Sequence, residues 1–229
     1  MKKPIELSMY EKLLHLPLFQ GLGSSDMSWV IEKIKFDFSK YKAGDSITQQ
    51  DSSCNSLVFI LSGEVQMETW DINHQYAIYE NIPTPTVLQP EVLFGPQTRY
   101  THGFNALSDV GALIVSKEEF WRDLIQYEVF RLNYINLISA QAQYAKKLLW
   151  TNPQGSVEQR IVHFVYTHCT RPAGEKKLKI KMEVLAEQLS ETRDKISKAL
   201  NNLQDKGLLV LKRSAIEIPH LETLITETR

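Results

Sequence analysis

The hydrophobic period of this 229-residue chain changes from strand-like to helical near residue 127, and that change limits what the chain can fold into. Upstream, residues 36–115 read as short alternating stretches separated by turn residues. Phe36-Asp37-Phe38-Ser39-Lys40-Tyr41 alternates apolar and polar before a turn at Lys42-Ala43-Gly44-Asp45. Ser56-Leu57-Val58-Phe59-Ile60-Leu61 reads as a buried strand that ends at Ser62-Gly63. Residues 64–70 and 76–79 alternate again around a turn at Asp71-Ile72-Asn73-His74, Pro83, Pro85 and Pro90 mark a loop, and a further strand pair is expected near 104–115. Short strands at this spacing predict an antiparallel β-barrel or jelly roll.

Downstream, Tyr127, Phe130, Tyr134, Leu137, Gln141, Tyr144 and Leu148 recur at alternating spacings of 3 and 4. This is a heptad seam on one long helix, read over about 117–150. A stripe this narrow favours a two-chain coiled coil, and hence a homodimer, over a helix packed on its own domain. Gln141 is a polar residue in the seam, a device that sets register. Asn152-Pro153-Gln154-Gly155 ends the helix and places the interdomain hinge at 150–156. The expected domains are therefore 1–150, a sensor-type barrel with its dimerisation helix, and 151–229. The fold class is α+β.

The second domain opens on Ser156-Val157-Glu158-Gln159, a capping box, and its first helix buries Val157, Ile161, Phe164 and Val165. Residues 182–204 then hold two short amphipathic helices. Val184, Leu185 and Leu189 face inward from the first, and Ile196, Ala199, Leu200 and Leu203 from the second. Ser190-Glu191-Thr192 makes the turn, with Thr192 placed to cap the second helix. This is the spacing of a helix-turn-helix, whose second helix enters the major groove. Its outer face carries Arg193, Asp194, Lys195 and Lys198. Arg193 presents a two-donor fork that matches guanine, and Asp194 can accept from cytosine or steady Arg193. Residues 208–212 and 215–218 form a two-strand wing with Lys212 and Arg213 at its tip, suited to phosphate contact. The competing reading is a winged helix used for protein contact.

Charge agrees with DNA as the partner. Residues 175–213 carry ten basic against six acidic side chains, a local +4 in a chain whose total is −1. An enzyme is not expected. The six histidines do not cluster with carboxylates as metal ligands, and neither a Ser-His-Asp spacing nor a phosphate loop is present, so no catalytic or metal residue is assigned. Cys54 and Cys169 are read as reduced thiols, and no cofactor is expected. Glu6, Glu11 and Lys12 interrupt any signal sequence after Met1-Lys2-Lys3, and the longest apolar run, Leu57–Leu61, cannot span a membrane. A cytoplasmic location is expected.

In this order the segments resemble the CRP/FNR family, the cyclic-AMP receptor protein and its relatives, from about residue 10 to residue 218. Leu16-Pro17-Leu18-Phe19-Gln20-Gly21-Leu22 is similar to the family's opening segment. Tyr41–Asp45 and Phe59–Val65 are similar to its barrel turns, and Glu187–Leu200 to its helix-turn-helix. The resemblance implies a dimeric transcription regulator that binds double-stranded DNA and contacts RNA polymerase. It places Arg193, Asp194 and Lys198 at three DNA-reading positions, where the familiar set is Arg, Glu and Arg. The sensor segment departs further. Phe94-Gly95-Pro96-Gln97-Thr98-Arg99-Tyr100-Thr101-His102 stands where cyclic-nucleotide binders carry Phe-Gly-Glu and end on Arg-Ser or Arg-Thr. Pro96 replaces the ribose-binding Glu and removes a backbone donor, and Tyr100 replaces the phosphate-binding Arg. Phe94, Gly95, Arg99, Tyr100, Thr101 and His102 are the candidates for an effector site, the effector being an unknown small molecule other than cyclic AMP. The alternative function is a small-molecule sensor that acts through protein partners.

Overall fold

The computed structural model describes residues 11–149, 151 and 155–228. The start at Met1-Lys2-Lys3, Glu6, and the Asn152-Pro153-Gln154 stop at the expected hinge lie outside the described residues. The chain divides into two compact units, Met1–Val65 with Ile82–Lys146 and Gln66–Asn81 with Lys147–Arg229. No helix among the described residues is long and apolar enough to cross a membrane.

The first unit begins with a 3-10 turn at Pro17–Phe19, helix α1 (Ser24–Lys33) and strands β1 (Asp37–Tyr41), β2 (Ser46–Thr48) and β3 (Ser56–Ser62). Strands β4 (Val65–Trp70) and β5 (Ala77–Ile82) make the hairpin whose residues 66–81 belong to the second unit. The first unit resumes with β6 (Thr86–Leu88), β7 (Gly103–Ala106), β8 (Val110–Ser116), α2 (Lys117–Arg122) and α3 (Glu128–Leu148). Its main sheet has the order β1-β8-β3-β6 and is antiparallel throughout, while β2 pairs with β7. The arrangement is jelly-roll-like, and among the described residues this sheet ends at β1 and β6 rather than closing into a barrel. Strand β3 is central because Leu57, Val58, Phe59 and Ile60 are all buried. The short β2 and β6 were not foreseen. Three residues each, within stretches rich in turn residues, leave no alternation to read.

The core of the first unit is aromatic. Phe19 packs on Phe59 and Phe130 with ring centroids 5.5 and 5.2 Å apart, and Phe120 meets Phe130 at 5.8 Å. Helix α3 is tied to the opening segment by Asn133, whose side-chain amide donates to the carbonyls of Leu18 and Gln20. The single helix expected over about 117–150 is broken. Leu124 turns into the core on a 3-10 turn, Tyr127 is extended (φ −75°, ψ 119°), and α3 starts only at Glu128. Ser116 caps α2 in a reciprocal pair with Glu119, which gives α2 its own start.

The second unit contains α4 (Val157–His168), β9 (Lys176–Lys179), α5 (Met182–Gln188), α6 (Arg193–Asp205), β10 (Val210–Lys212), β11 (Ala215–Ile218) and α7 (Leu221–Glu227). Ser156 and Gln159 close the expected capping box at the start of α4. The sheet runs β10-β11-β9-β5-β4, so the wing pair is continued through β9 into the hairpin. Ile161, Phe164, Val165, Leu178, Leu185, Leu200, Leu203, Ile216 and Leu221 form one core with Tyr76 and Ile78 of the hairpin.

The tight corner after β3 depends on Gly63. Its φ is +95°, and a Cβ there would lie 2.5 Å from the carbonyl oxygen of Asp109. Gly63→Ala is expected to destabilise the first unit by about 2 kcal/mol or more, seen as a lower midpoint in urea unfolding.

Candidate nucleic-acid interface

Helix α6 is presented by what lies beneath it. Ile196, Ala199, Leu200 and Leu203 are buried, and this leaves Arg193, Asp194, Lys195 and Lys198 exposed on the other side. The Thr192 hydroxyl accepts from the Lys195 backbone N–H, so the expected cap is made. Asp194 in the first turn adds a negative charge where the helix dipole favours one. Asp194 and Lys198 are four residues apart and share one face.

The turn from α5 into α6 is held from outside. Ser190 takes the left-handed conformation (φ 51°), and the Glu191 N–H donates to Ala186 O at 2.9 Å. Arg160 reaches across from α4 and donates to Leu189 O at 3.1 Å and to Glu191 Oε1 at 2.7 Å. Glu191 Oε2 in turn lies 3.0 Å from Lys195 Nζ. The hydrogen bond from Lys195, reinforced by the charges of Lys195 and Arg160, holds the Glu191 carboxyl below the usual carboxylate range. Lys195 is thus partly neutralised by its own turn. Arg160 and Glu191 were missed as site-forming residues, because their pairing links positions 31 residues apart that no local pattern connects.

The wing stands beside this helix. Lys212 and Arg213 are exposed at its tip, and Ser214, the second residue of the two-residue turn, is left-handed (φ 56°). Gln204 Oε1 accepts from Leu211 N–H at 2.7 Å, which joins the end of α6 to β10. A cleft of about 320 Å³ between α5, α6 and the wing is lined by Lys181, Glu183, Arg193 and Lys212, among others. Arg193 Nε lies 3.4 Å from Glu183 Oε1, an exposed pair that steadies the guanidinium while leaving it open to an anion. The structure therefore brings Thr192, Arg193, Asp194, Lys195 and Lys198 together on one helix start, with Lys212 and Arg213 on the neighbouring wing. Lys176, counted with the basic residues of this region, is not at the surface: it is buried against Glu80 at 2.9 Å and adds no outward charge.

The sensor-segment residues are not brought together. Phe94 packs on Phe120, Trp121 and Tyr134, with Lys117 Nζ 4.8 Å from its ring centre. Gly95 is exposed at φ 102°. Arg99 is exposed and donates to the carbonyl of Asp51. Tyr100 is buried beside Cys54, its hydroxyl 3.5 Å from Ser56 O, and burial pushes its phenol well above the ordinary range. Gln89, which sequence reasoning passed over, organises the strand that follows: its amide donates to Thr101 Oγ1 and accepts from the His102 N–H at 3.1 Å. No helix forms between residues 93 and 100, so no helix N-terminus is available there to hold a phosphate.

Two family models match the chain. Residues 38–127 match the cyclic nucleotide-binding domain, and residues 159–226 match the Crp-like helix-turn-helix domain. Together they span more than half of the chain. The chain belongs to the CRP/FNR family. Among solved structures it is similar to the catabolite activator protein of Thermus thermophilus, at 17% identity and a TM-score of 0.51, covering 92% of this chain and 97% of that one. It is equally similar to a protein described as a CRP/FNR-family transcriptional regulator from Eubacterium rectale, at 20% identity and a TM-score of 0.51, covering 92% and 98%. No curated protein matches the chain. The CRP/FNR fold is thus that of a transcription regulator with a helix-turn-helix DNA-binding domain.

The positive φ of Ser190 is a conformation that glycine adopts without strain. Ser190→Gly is expected to stabilise the second unit by about 0.5–1 kcal/mol in thermal unfolding, because relief of left-handed strain outweighs the added freedom of the unfolded chain.

Proposed function

We propose that this protein is a dimeric, sequence-specific DNA-binding transcription regulator whose effector is not cyclic AMP. The observation that carries the reading is the outward face of α6. Arg193, Asp194 and Lys198 project from a helix clamped by its apolar side, next to a basic wing. Arg193 reads base edges, Lys198 reads a base or a phosphate, and Lys212 and Arg213 bind the backbone. Lysine at 198 and aspartate at 194 shift the preferred sequence away from that read by the usual Arg-Glu-Arg set. RNA polymerase is the protein partner the reading implies.

The dimer is assigned to a different stripe of α3 from the one first read. Phe130 is fully buried in its own unit, Tyr134 donates to Pro90 O at 2.9 Å, Leu137 packs on the same core, and Tyr127 meets Trp29. Tyr144 and Leu148 are half-buried and Gln141 is exposed. Leu132 and Ile135, 56% and 52% exposed, begin a second stripe that Ser139 and Ala142 continue at spacings of 3, 4 and 3. Two apolar residues followed by small ones suit close helix pairing with a second copy. A two-fold dimer would offer two α6 helices to successive major grooves. Leu132→Lys with Ile135→Lys is expected to give a monomer in analytical ultracentrifugation and to weaken operator binding at least about tenfold.

Cyclic AMP is set aside because the segment that would hold its phosphate is committed elsewhere. Tyr100 fills the interior and Arg99 binds a backbone carbonyl. A buried phosphate without those donors would be poorly compensated. The deciding experiment selects bound sequences from random DNA duplexes, with and without cyclic AMP. One palindromic motif recovered without nucleotide is the expected result. Recovery only with cyclic AMP would reverse the effector assignment, and no recovery in either case would count against DNA binding. Arg193→Ala should cost about 1–3 kcal/mol and relax preference at one base pair per half-site.

A further inference from the structure

The DNA-binding unit is not made from the C-terminal sequence alone. The chain leaves the first unit after Val65, contributes residues 66–81 to the second, and re-enters the first at Ile82. Strand β5 pairs antiparallel with β9, Ala77 opposite Lys179 through Glu80 opposite Lys176. The other edge of β9 pairs with β11 of the wing, and β9 runs by way of Ile180 and Lys181 into α5. The inward side chains of the hairpin join the core: Tyr76 stacks near Phe164 and His168 at 5.4 and 5.9 Å, and Ile78 is 2% exposed.

At the end of this pairing lies a fully buried ion pair. Lys176 Nζ is 2.9 Å from Glu80 Oε2, with both side chains withdrawn from water, and also donates to Ala173 O at 2.9 Å. Glu80 accepts from Thr170 N–H at 2.8 Å, Thr170 Oγ1–H at 3.0 Å and Arg171 N–H at 3.3 Å. One carboxylate from the N-terminal half of the sequence thus gathers the loop after α4 and the first residue of β9.

We propose that the 66–81 hairpin is a positioning strap of the DNA-binding unit, with Glu80 as the residue that holds it to β9, and that it stays paired when α6 engages DNA. The inference rests on the DNA-binding reading of α6. The strap is joined to the first unit at 65/66 and 81/82, and the rest of the second unit at 146/147. Glu80 touches no DNA; it acts on α6 through β9 and the turn that follows.

The test uses the full chain and Glu80→Gln, which keeps the acceptor and removes the charge. It also uses a reversible lock, Ala77→Cys with Lys179→Cys. These residues face each other across antiparallel strands, at the separation a disulfide bridges. Hydrogen exchange of the β9 amides is read without DNA. Affinity is read on a mixed-sequence duplex at low salt. Glu80→Gln should exchange β9 faster and bind about tenfold more weakly, as a unit that is competent only part of the time must. Oxidation of the lock in the Glu80→Gln background should restore affinity, and reduction should remove it again. Faster exchange with unchanged affinity, unchanged exchange, or weak binding that oxidation fails to rescue each overturns the proposal. Should Glu80→Gln fail to fold, the lock in the wild-type background decides. Affinity retained on oxidation supports the strap, and affinity lost on oxidation and regained on reduction overturns it. A wild-type chain that binds no duplex counts against the DNA-binding reading, and so is told apart from a failure of the strap.

Discussion

Glu80 and Lys176 are two opposite charges removed from water, and such a pair is tolerated only where geometry satisfies it completely. Every oxygen of this carboxylate has a partner, and the ammonium has two. Breaking such a pair by deleting one member costs about 3–5 kcal/mol, because the other is left uncompensated. Its value here is register. A slip of β5 on β9 by one residue would turn Glu80 to solvent and strand Lys176 in the core. The ion pair therefore selects one alignment of hairpin and winged helix, and the apolar side chains of Tyr76, Ile78 and Leu178 then fill a core shaped by that alignment. The wing and the start of α5 inherit their positions from β9.

The same region shows why a count of basic residues overstates a DNA-binding surface. Lys176 is inside, Lys195 is paired with Glu191, and Lys177 lies 3.9 Å from Glu217. Arg193, Lys198, Lys212 and Arg213 stay exposed at the α6 start and the wing tip, Arg193 beside Glu183, and Lys179, Lys181 and Lys206 are exposed besides them. Burial and pairing thus leave the unit less outward positive charge than the count of basic residues gives.

Strong local signals were legible in the sequence. The Ser156 box, the Thr192 cap, the apolar stripe of α6 and the wing turn all sit where their residues indicated, since each rests on chemistry within four positions. Long-range choices were not legible. Strand β9 reads Lys-Lys-Leu-Lys, and only a carboxylate 96 positions earlier makes its first lysine an interior residue. The heptad stripe from Tyr127 was real as a period, but aromatic residues at period 3.5 suit a core of the same chain as well as a partner's. Phe19, Phe59 and Phe120 supplied that core for Phe130. In the sensor segment the departures at Pro96 and Tyr100 were visible. That Gln89 would bind Thr101 and His102 was not, because a lone glutamine has no pattern.

The borrowed hairpin also orders events during synthesis. Residues 66–81 emerge well before β9, and at about 5–20 residues per second the hairpin waits on the order of ten seconds for the strand that covers it. In that interval β5 is an unpaired edge carrying Ile78, with Tyr76 just before it, the kind of surface that recruits other chains. Glu80 is then an exposed charge in the middle of that edge, and a charge there discourages pairing with any strand that lacks a matching cation. The carboxylate that later fixes the register of the finished sheet thus first serves the nascent chain as a guard against the wrong neighbour.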